Sequence, residues 1–321
     1  MSFFGSSSQR QSLTKGKGVG GKPILEVVPD GRLSVSCLIA KSKFKLFVSP
    51  NDSYEGWSLA GHGEPYHDCG SFWSEGCLNT EGHIQDSLDV VSPVGMAYIK
   101  RVKRSCGRLG CPVCYESASY RESLKIEFRL KQKKGRIIHF IVSPPRSLWF
   151  LSVKKMRCKA YRVAKKVGFK GGSCIFHPYR KDFFTNKWYF SPHFHMIGHG
   201  WIHSVKEEYE KNGWVAKNLG VRKSIQGTAF YQLSHAGVHK RHHTITWFGH
   251  VAYNNFKAEP LPKPDPELCP WCKNELQKVV WEGIGDNPLP DEVGTYFVRA
   301  RGWRYERGFM GIKKRTLSNF G

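Results

Sequence analysis

Apolar residues recur along this chain at two periods, which divide it into strands and helices. At 136–143, RIIHFIVS is an almost unbroken apolar run stopped by Pro144-Pro145, the mark of a buried strand. At 153–167 the period changes: Val153, Met156, Ala160, Val163, Ala164 and Val167 share one helical face, with Ser152 to cap its start and Gly168 its end. Residues 116–132 predict a basic helix, and 172–177 with 187–197 two strands of a hairpin. A helix around 223–236 and a strand at 244–253 follow. Short alternations (LSVSCLIA, FKLFVS) predict strands within 24–60. Four segments result: a basic arm at 1–23, N-terminal strands with a cysteine-rich module at 24–120, a core at 121–257, and a Pro-rich linker with a basic tail at 258–321.

Charge narrows the partners. The 321 residues hold 50 Lys+Arg against 26 Asp+Glu, a net +24, which predicts attraction to a polyanion, nucleic acid first. The polar face of the 153–167 helix concentrates it: Lys154, Lys155, Arg157, Lys159, Arg162, Lys165 and Lys166 appear without one acid, which favours contact with backbone phosphates over simple solvation. No run reaches the roughly 18 apolar residues of a bilayer span, and the N-terminus lacks a signal-peptide core, so a cytoplasmic protein with no membrane partner is expected. GKGVGGKP at 16–23 has the glycines of a phosphate loop. Pro23 stands where Ser or Thr would hold magnesium, and no strand precedes it, so no ATP-driven motor is expected.

The segment SPHFHMIGHG at 191–200 carries the chemistry. Alternate residues of a strand share a face, so His193 and His195 point one way and Phe194 and Met196 the other. Two imidazoles on one rigid strand make a bidentate clamp for a metal. The bland alternative, two structural histidines, is weakened by the apolar flanks and by the preceding hairpin strand. That strand ends in IFHPYR, which can bring His177 beside the pair and leave open positions for substrate oxygens. Asp182 can add a carboxylate, although a turn residue is the simpler reading.

RIIHFIVS, then GGSCIFHPYR and PHFHMIG, then FYQLSHAG and TWFG, occur in an order that resembles the HUH endonucleases, most closely the rolling-circle replication initiators of archaeal plasmids and viruses. The resemblance covers about residues 100–257. It implies an α+β fold, an antiparallel sheet with packed helices, here with small zinc-stapled modules appended. It implies a Mn²⁺ or Mg²⁺ ion on His193, His195 and His177, and a helical tyrosine nucleophile matched by Tyr231. That tyrosine would cut one strand of an origin, as single-stranded or hairpin DNA, and keep its 5′ end in a phosphotyrosyl link. A host helicase and polymerase in a prokaryotic, archaeal cytoplasm would complete replication. The chain departs from the family where Ser234 replaces the usual lysine; His235 shares the helical face of Tyr231, and Lys223, Lys240 or Arg241 can replace the lysine in space. Tyr253 and Tyr161 are reserve nucleophiles. A single-tyrosine transposase of the same superfamily is the nearest rival, and a non-catalytic zinc-dependent DNA-binding regulator the rival of another class.

Ten cysteines, with two CxxC pairs and no export signal, favour zinc over disulfides. Cys106, Cys111 and Cys114 need a fourth ligand, for which Cys69, Cys77, His67 and His83 are candidates, and the set can serve two ions. Cys269 and Cys272 form half a site, to be completed by His239, His242 or His243, or by the first module. Cys37, Cys158 and Cys174 read as core residues. In the tail, Tyr296, Trp303, Tyr305 and Phe309 interleave with Arg299, Arg301, Arg304, Arg307, Lys313 and Lys314, the composition of a surface that stacks bases and tracks phosphates, or of a strand pair with an aromatic core face.

Overall fold

The computed structural model describes residues 47–83, 95–283 and 286–306. The arm at 1–23, most of the strands expected within 24–60, Cys37, and the tail residues Arg307, Phe309, Lys313 and Lys314 lie outside them. In chain order the elements are β1 (Phe47–Val48), β2 (Ser58–Leu59), β3 (Phe72–Cys77), β4 (Met96–Lys103), α1 (Tyr115–Lys131), β5 (Ile137–Ser143), α2 (Val153–Lys166), β6 (Phe169–Lys181), β7 (Trp188–Gly200), α3 (Val205–Asn212), β8 (Val215–Val221), α4 (Ile225–Leu233), β9 (Gly237–Val238), β10 (Ile245–Gly249), β11 (Gln277–Trp281), β12 (Gly294–Arg299) and β13 (Trp303–Tyr305). The class is α+β, and every strand pairing is antiparallel.

The central sheet runs β10-β6-β7-β5-β8, with β1 also on β7. In its long hairpin, β6 exceeds the predicted strand at both ends and β7 at its C-terminal end, because residues outside the apolar run still have ladder partners from Phe169↔Gly200 to Lys181↔Trp188. At the tip, Asp182 is the turn residue: its Oδ1 accepts hydrogen bonds from Phe184 N, Thr185 N and Thr185 Oγ1 at 3.2, 2.9 and 3.0 Å. The strand expected over 244–253 stops at Gly249, whose φ of +66° turns the chain out of the ladder.

Strand parity splits the sheet into two faces. Phe140, Val142, Cys174, Phe176, Phe194 and Met196 face one way, onto the apolar stripe of α2 (Val153, Met156, Ala160, Val163). Ser152 caps that helix as the sequence predicts, accepting from Lys155 N. Phe140, Phe176, Phe194, Met156 and Met196 are fully buried, each stabilising the fold by about 1.5–3 kcal/mol. Ile175 and Ile197 face the other way, onto Ile126 and Leu130 of α1 and Ala229 and Leu233 of α4. Two α2 residues depart from the sequence reading: Cys158 is exposed, on the cationic side of the helix, and Arg157 turns inward, 5.6 Å over the Trp57 ring.

A second sheet runs β12-β4-β3-β11-β13. It interleaves 72–103 with 277–305, so the segment after 258 is not set apart as a tail: its strands complete a sheet begun before the core. Two expected tail aromatics serve this sheet: Trp303 is buried against Trp281, and the Tyr305 hydroxyl accepts from Leu78 N at 2.8 Å. α3 and β8 have no counterpart in the sequence reading. VKEEYEKN has too few apolar residues to show a period, and VAKNLGV only a weak alternation.

Candidate metal and tyrosine site

The register of the long hairpin sets His177 opposite His193 and Ile175 opposite His195. All three histidines lie on the face covered by α1 and α4, and all are buried. Their ligand-capable nitrogens lie within 4.8 Å of one another. His193 Nε2 and His195 Nε2 are 3.1 Å apart, and the His177 and His195 rings are 4.2 Å apart.

The donor atoms fit a divalent cation. His193 donates Nδ1–H to Ser191 O at 2.7 Å, which leaves Nε2 toward the cluster. The Gln232 backbone takes a hydrogen bond from His177, while His177 Nε2 is buried with no hydrogen-bond partner, a costly state unless a ligand completes it. Burial, then the neighbouring histidines and Arg180, holds all three well below the usual imidazole range. They are neutral at physiological pH, the form that ligates.

Helix α4 brings the tyrosine to this cluster. Ser224 caps its start, accepting from Gly227 N at 2.8 Å, and Gln226 Nε2 donates to Ser123 Oγ of α1 at 3.0 Å. Tyr231 is 65% exposed on the outer side of the helix. Its ring meets His235 edge-on at 4.5 Å, and His235 meets His177 edge-on at 4.9 Å. Burial pulls His235 down to about 4, so it too is neutral. Tyr161 lies on α2, across the sheet, its hydroxyl 2.6 Å from Thr246 Oγ1. Tyr253 stands over Arg129, 4.6 Å from the guanidinium. Neither shares a contact with the three histidines.

Sequence reasoning missed two members of the cluster. His139 of β5 places Nε2 2.9 Å from His195 Nδ1, and Arg222 lies 3.3 Å from His139 Nδ1. Burial, then Arg222, pulls His139 down to about 4. A histidine inside the apolar run RIIHFIVS was the available signal. Its neighbour could not be read, because the pairing of β5 with β7 joins residues 56 positions apart.

The cysteines form two clusters that can each hold a structural zinc-like ion. Cys69 completes Cys106, Cys111 and Cys114; its sulfur lies 3.4 Å from Cys111 and 2.8 Å from Cys114, and Cys106 lies 3.8 Å from Cys114. A tetrahedron with Zn–S near 2.3 Å has edges of about 3.7 Å. Cys77 and His83 complete Cys269 and Cys272. His83 donates Nδ1–H to Met96 O and turns Nε2 toward Cys77 and Cys269, at 3.3 and 3.4 Å. Burial pushes the Cys77 thiol up, so its thiolate needs a cation beside it. The HKRHH run completes neither site: His239 and His242 pack on Trp57. His67 is exposed beside Asp68 instead.

The cations predicted to bind DNA are not all alike. Lys154, Lys155, Arg162, Lys165 and Lys166 are exposed on α2, across the sheet from the histidines, and Lys166 reaches Glu208 at 3.7 Å. Arg301 is exposed, whereas Arg304 is ion-paired with Glu282. Among the described residues no helix is long and apolar enough to cross a membrane. Comparison of the chain with protein-family models, curated proteins and solved structures finds no match in any of the three.

Proposed function

We propose that this chain is a metal-assisted DNA nickase that cuts one strand through Tyr231 and holds the cut end covalently, as a replication initiator of the rolling-circle type. The observation that carries the reading is a ring contact series: an exposed tyrosine on His235, and His235 on a buried trio of neutral histidines. A zinc-stapled binding protein has no need of such a trio beside an exposed phenol.

His177, His193 and His195 would hold a Mn²⁺ or Mg²⁺ ion, imidazoles favouring the former, and the ion would offset charge developing on the scissile phosphate. Tyr231 is positioned by α4, whose buried side packs on α1 and the sheet. Its oxygen forms a bond to phosphorus as the phenolic proton leaves. The P–O3′ bond breaks, and the 3′ oxygen takes up a proton. The phosphodiester is exchanged for a phosphotyrosyl ester, so the reverse step rejoins strands without ATP. Opening of the duplex and synthesis would fall to a host helicase and polymerase.

The test is incubation with a labelled single-stranded oligonucleotide library and Mn²⁺, read as a protein–DNA adduct that survives denaturation. The adduct is expected with wild type and absent from Tyr231→Phe and from the His193→Ala/His195→Ala double variant. An adduct that survives Tyr231→Phe removes Tyr231 as the nucleophile. Tight DNA binding with no adduct on any sequence leaves a zinc-dependent DNA-binding protein, the reading that the two cysteine clusters and the +24 charge would then support.

A further inference from the structure

A cavity lies at the far end of the central sheet from the histidines, where β6 begins and β7 and β10 end. It has a volume of about 870 Å³, within the size range of ligand sites. Counting about 3.3 Å per residue along β6 from Phe169 to His177 puts it roughly 25 Å from the histidines. Its composition is unlike ordinary surface. Arg162 and Lys165 enter from α2 and Lys170 from β6, and no carboxylate lines it. None of the three has an ion-pair partner among the described residues.

Aromatic rings form much of the rest of the lining, beside His203 and His250. Tyr161 stacks on Phe248, with ring centroids 4.3 Å apart and planes 13° from parallel, and this stack reaches the cavity from the core. Trp201 stands at the rim, 69% exposed, with the Arg136 guanidinium 5.8 Å from its ring centre. Two glycines let the backbone segments of its wall pack closely. Gly168 and Gly249 have φ of +91° and +66°, and a side chain on either would run into backbone oxygen, Trp201 O or Lys170 O.

Unpaired cations beside an exposed aromatic ring, with acids absent, match a ligand that joins a flat base to a phosphate. We infer that this cavity captures a nucleotide of single-stranded DNA, its base on Trp201 and its phosphates on Arg162, Lys165 and Lys170. The cationic face of α2 would carry the adjoining phosphates away from it. The inference rests on the cavity alone and does not require Tyr231 to cut.

The experiment uses the full chain carrying Tyr231→Phe, so that binding is read without cleavage. A thymidine oligonucleotide with 4-thiothymidine is photocrosslinked and the adducts are mapped by mass spectrometry. Affinity is measured by fluorescence anisotropy for this protein, for the added change Trp201→Ala, and for Arg162→Gln/Lys165→Gln. Thermal melting confirms that the variants fold, as the exposure of these residues predicts. Crosslinks to Trp201 or its neighbours are expected, with an about five- to hundredfold loss of affinity on Trp201→Ala and a shallower salt dependence for the double variant. Unchanged affinity in both variants, with crosslinks elsewhere, overturns the site. Loss in the Arg/Lys variant alone overturns capture of the base. Displacement of the oligonucleotide by thymidine monophosphate at comparable concentration of nucleotide overturns the strand as ligand and leaves a free-nucleotide site.

Discussion

Each neutral imidazole carries one proton and one lone pair, and the spacing of the buried histidines dictates how these alternate. In the metal-free chain all hydrogen bonds can point one way: Arg222 to His139 Nδ1, His139 Nε2–H to His195 Nδ1, His195 Nε2–H to His193 Nε2, and His193 Nδ1–H to Ser191 O. A ligating His195 must instead free Nε2 and donate Nδ1–H to His139. The His139 proton then turns toward Arg222, donor against donor. His139 therefore supports the ligating form and Arg222 opposes it. We expect His139→Phe to weaken Mn²⁺ binding about 10- to 100-fold and Arg222→Leu to strengthen it, by titration calorimetry on protein with its cysteine sites zinc-loaded. A loss of equal size in both variants would reduce the pair to a structural role. At this scale the sequence shows the clamp and hides its support. His193 and His195 share a face by parity alone, whereas His139 reaches them through a pairing between distant strands.

The tyrosine helix depends on its neighbour. α4 has nine residues, too few to be stable by itself, and it packs on α1 through Ala229, Leu233, Ile126 and Leu130. α1 begins directly after Cys114, a member of the four-cysteine cluster. A zinc ion there would fix the start of α1, and α1 would hold α4 against the sheet. Cys69→Ser is expected to remove one of two zinc ions per chain and to speed amide exchange in both α1 and α4, while β11–β13 keep their protection. Fast exchange confined to 104–114 would show that the cluster does not reach the tyrosine. The sequence marked both helices, over 116–132 and around 223–236, but not their contact. The turn at 182–187 was legible from the hairpin pattern and from Asp182, but the placement of its two phenylalanines was not. Phe183 and Phe184 are 93% and 91% exposed, contrary to what apolar residues predict, because the three bonds to Asp182 Oδ1 and the backbone bonds Asp182 N to Lys187 O and Asn186 N to Asp182 O fix the turn around them.

Across the whole molecule, the second sheet joins two distant stretches of the chain, and a cysteine cluster lies where they meet. Cys77 and Cys272 are 195 positions apart and 3.5 Å apart in space, so the second cluster closes most of the chain into a loop. The half-site at Cys269 and Cys272 was legible as a demand for partners. Which partners satisfied it was not, because pattern sets the face a strand buries and not the strand it joins. The central sheet has the opposite character, with buried neutral imidazoles in the middle of its α1/α4 face, and this makes the fold acid-sensitive. His139 titrates near 4 in the folded chain and near 6.5 unfolded; His177, His193 and His195 are depressed as well, by burial first. Between those values the unfolded chain binds more protons, so stability is fully present above about pH 6.5 and falls as pH drops toward 4. Each such histidine contributes a slope of up to about 1.4 kcal/mol per pH unit. Release of zinc from the cysteines also weakens the fold in acid, but equally in variants that keep both clusters. Urea unfolding at intervals from pH 7.5 to 5 should therefore give a shallower loss for the His193→Ala/His195→Ala variant than for wild type. Parallel losses would mean that the histidines are already protonated in the folded chain, and a protonated trio could not serve as the metal site.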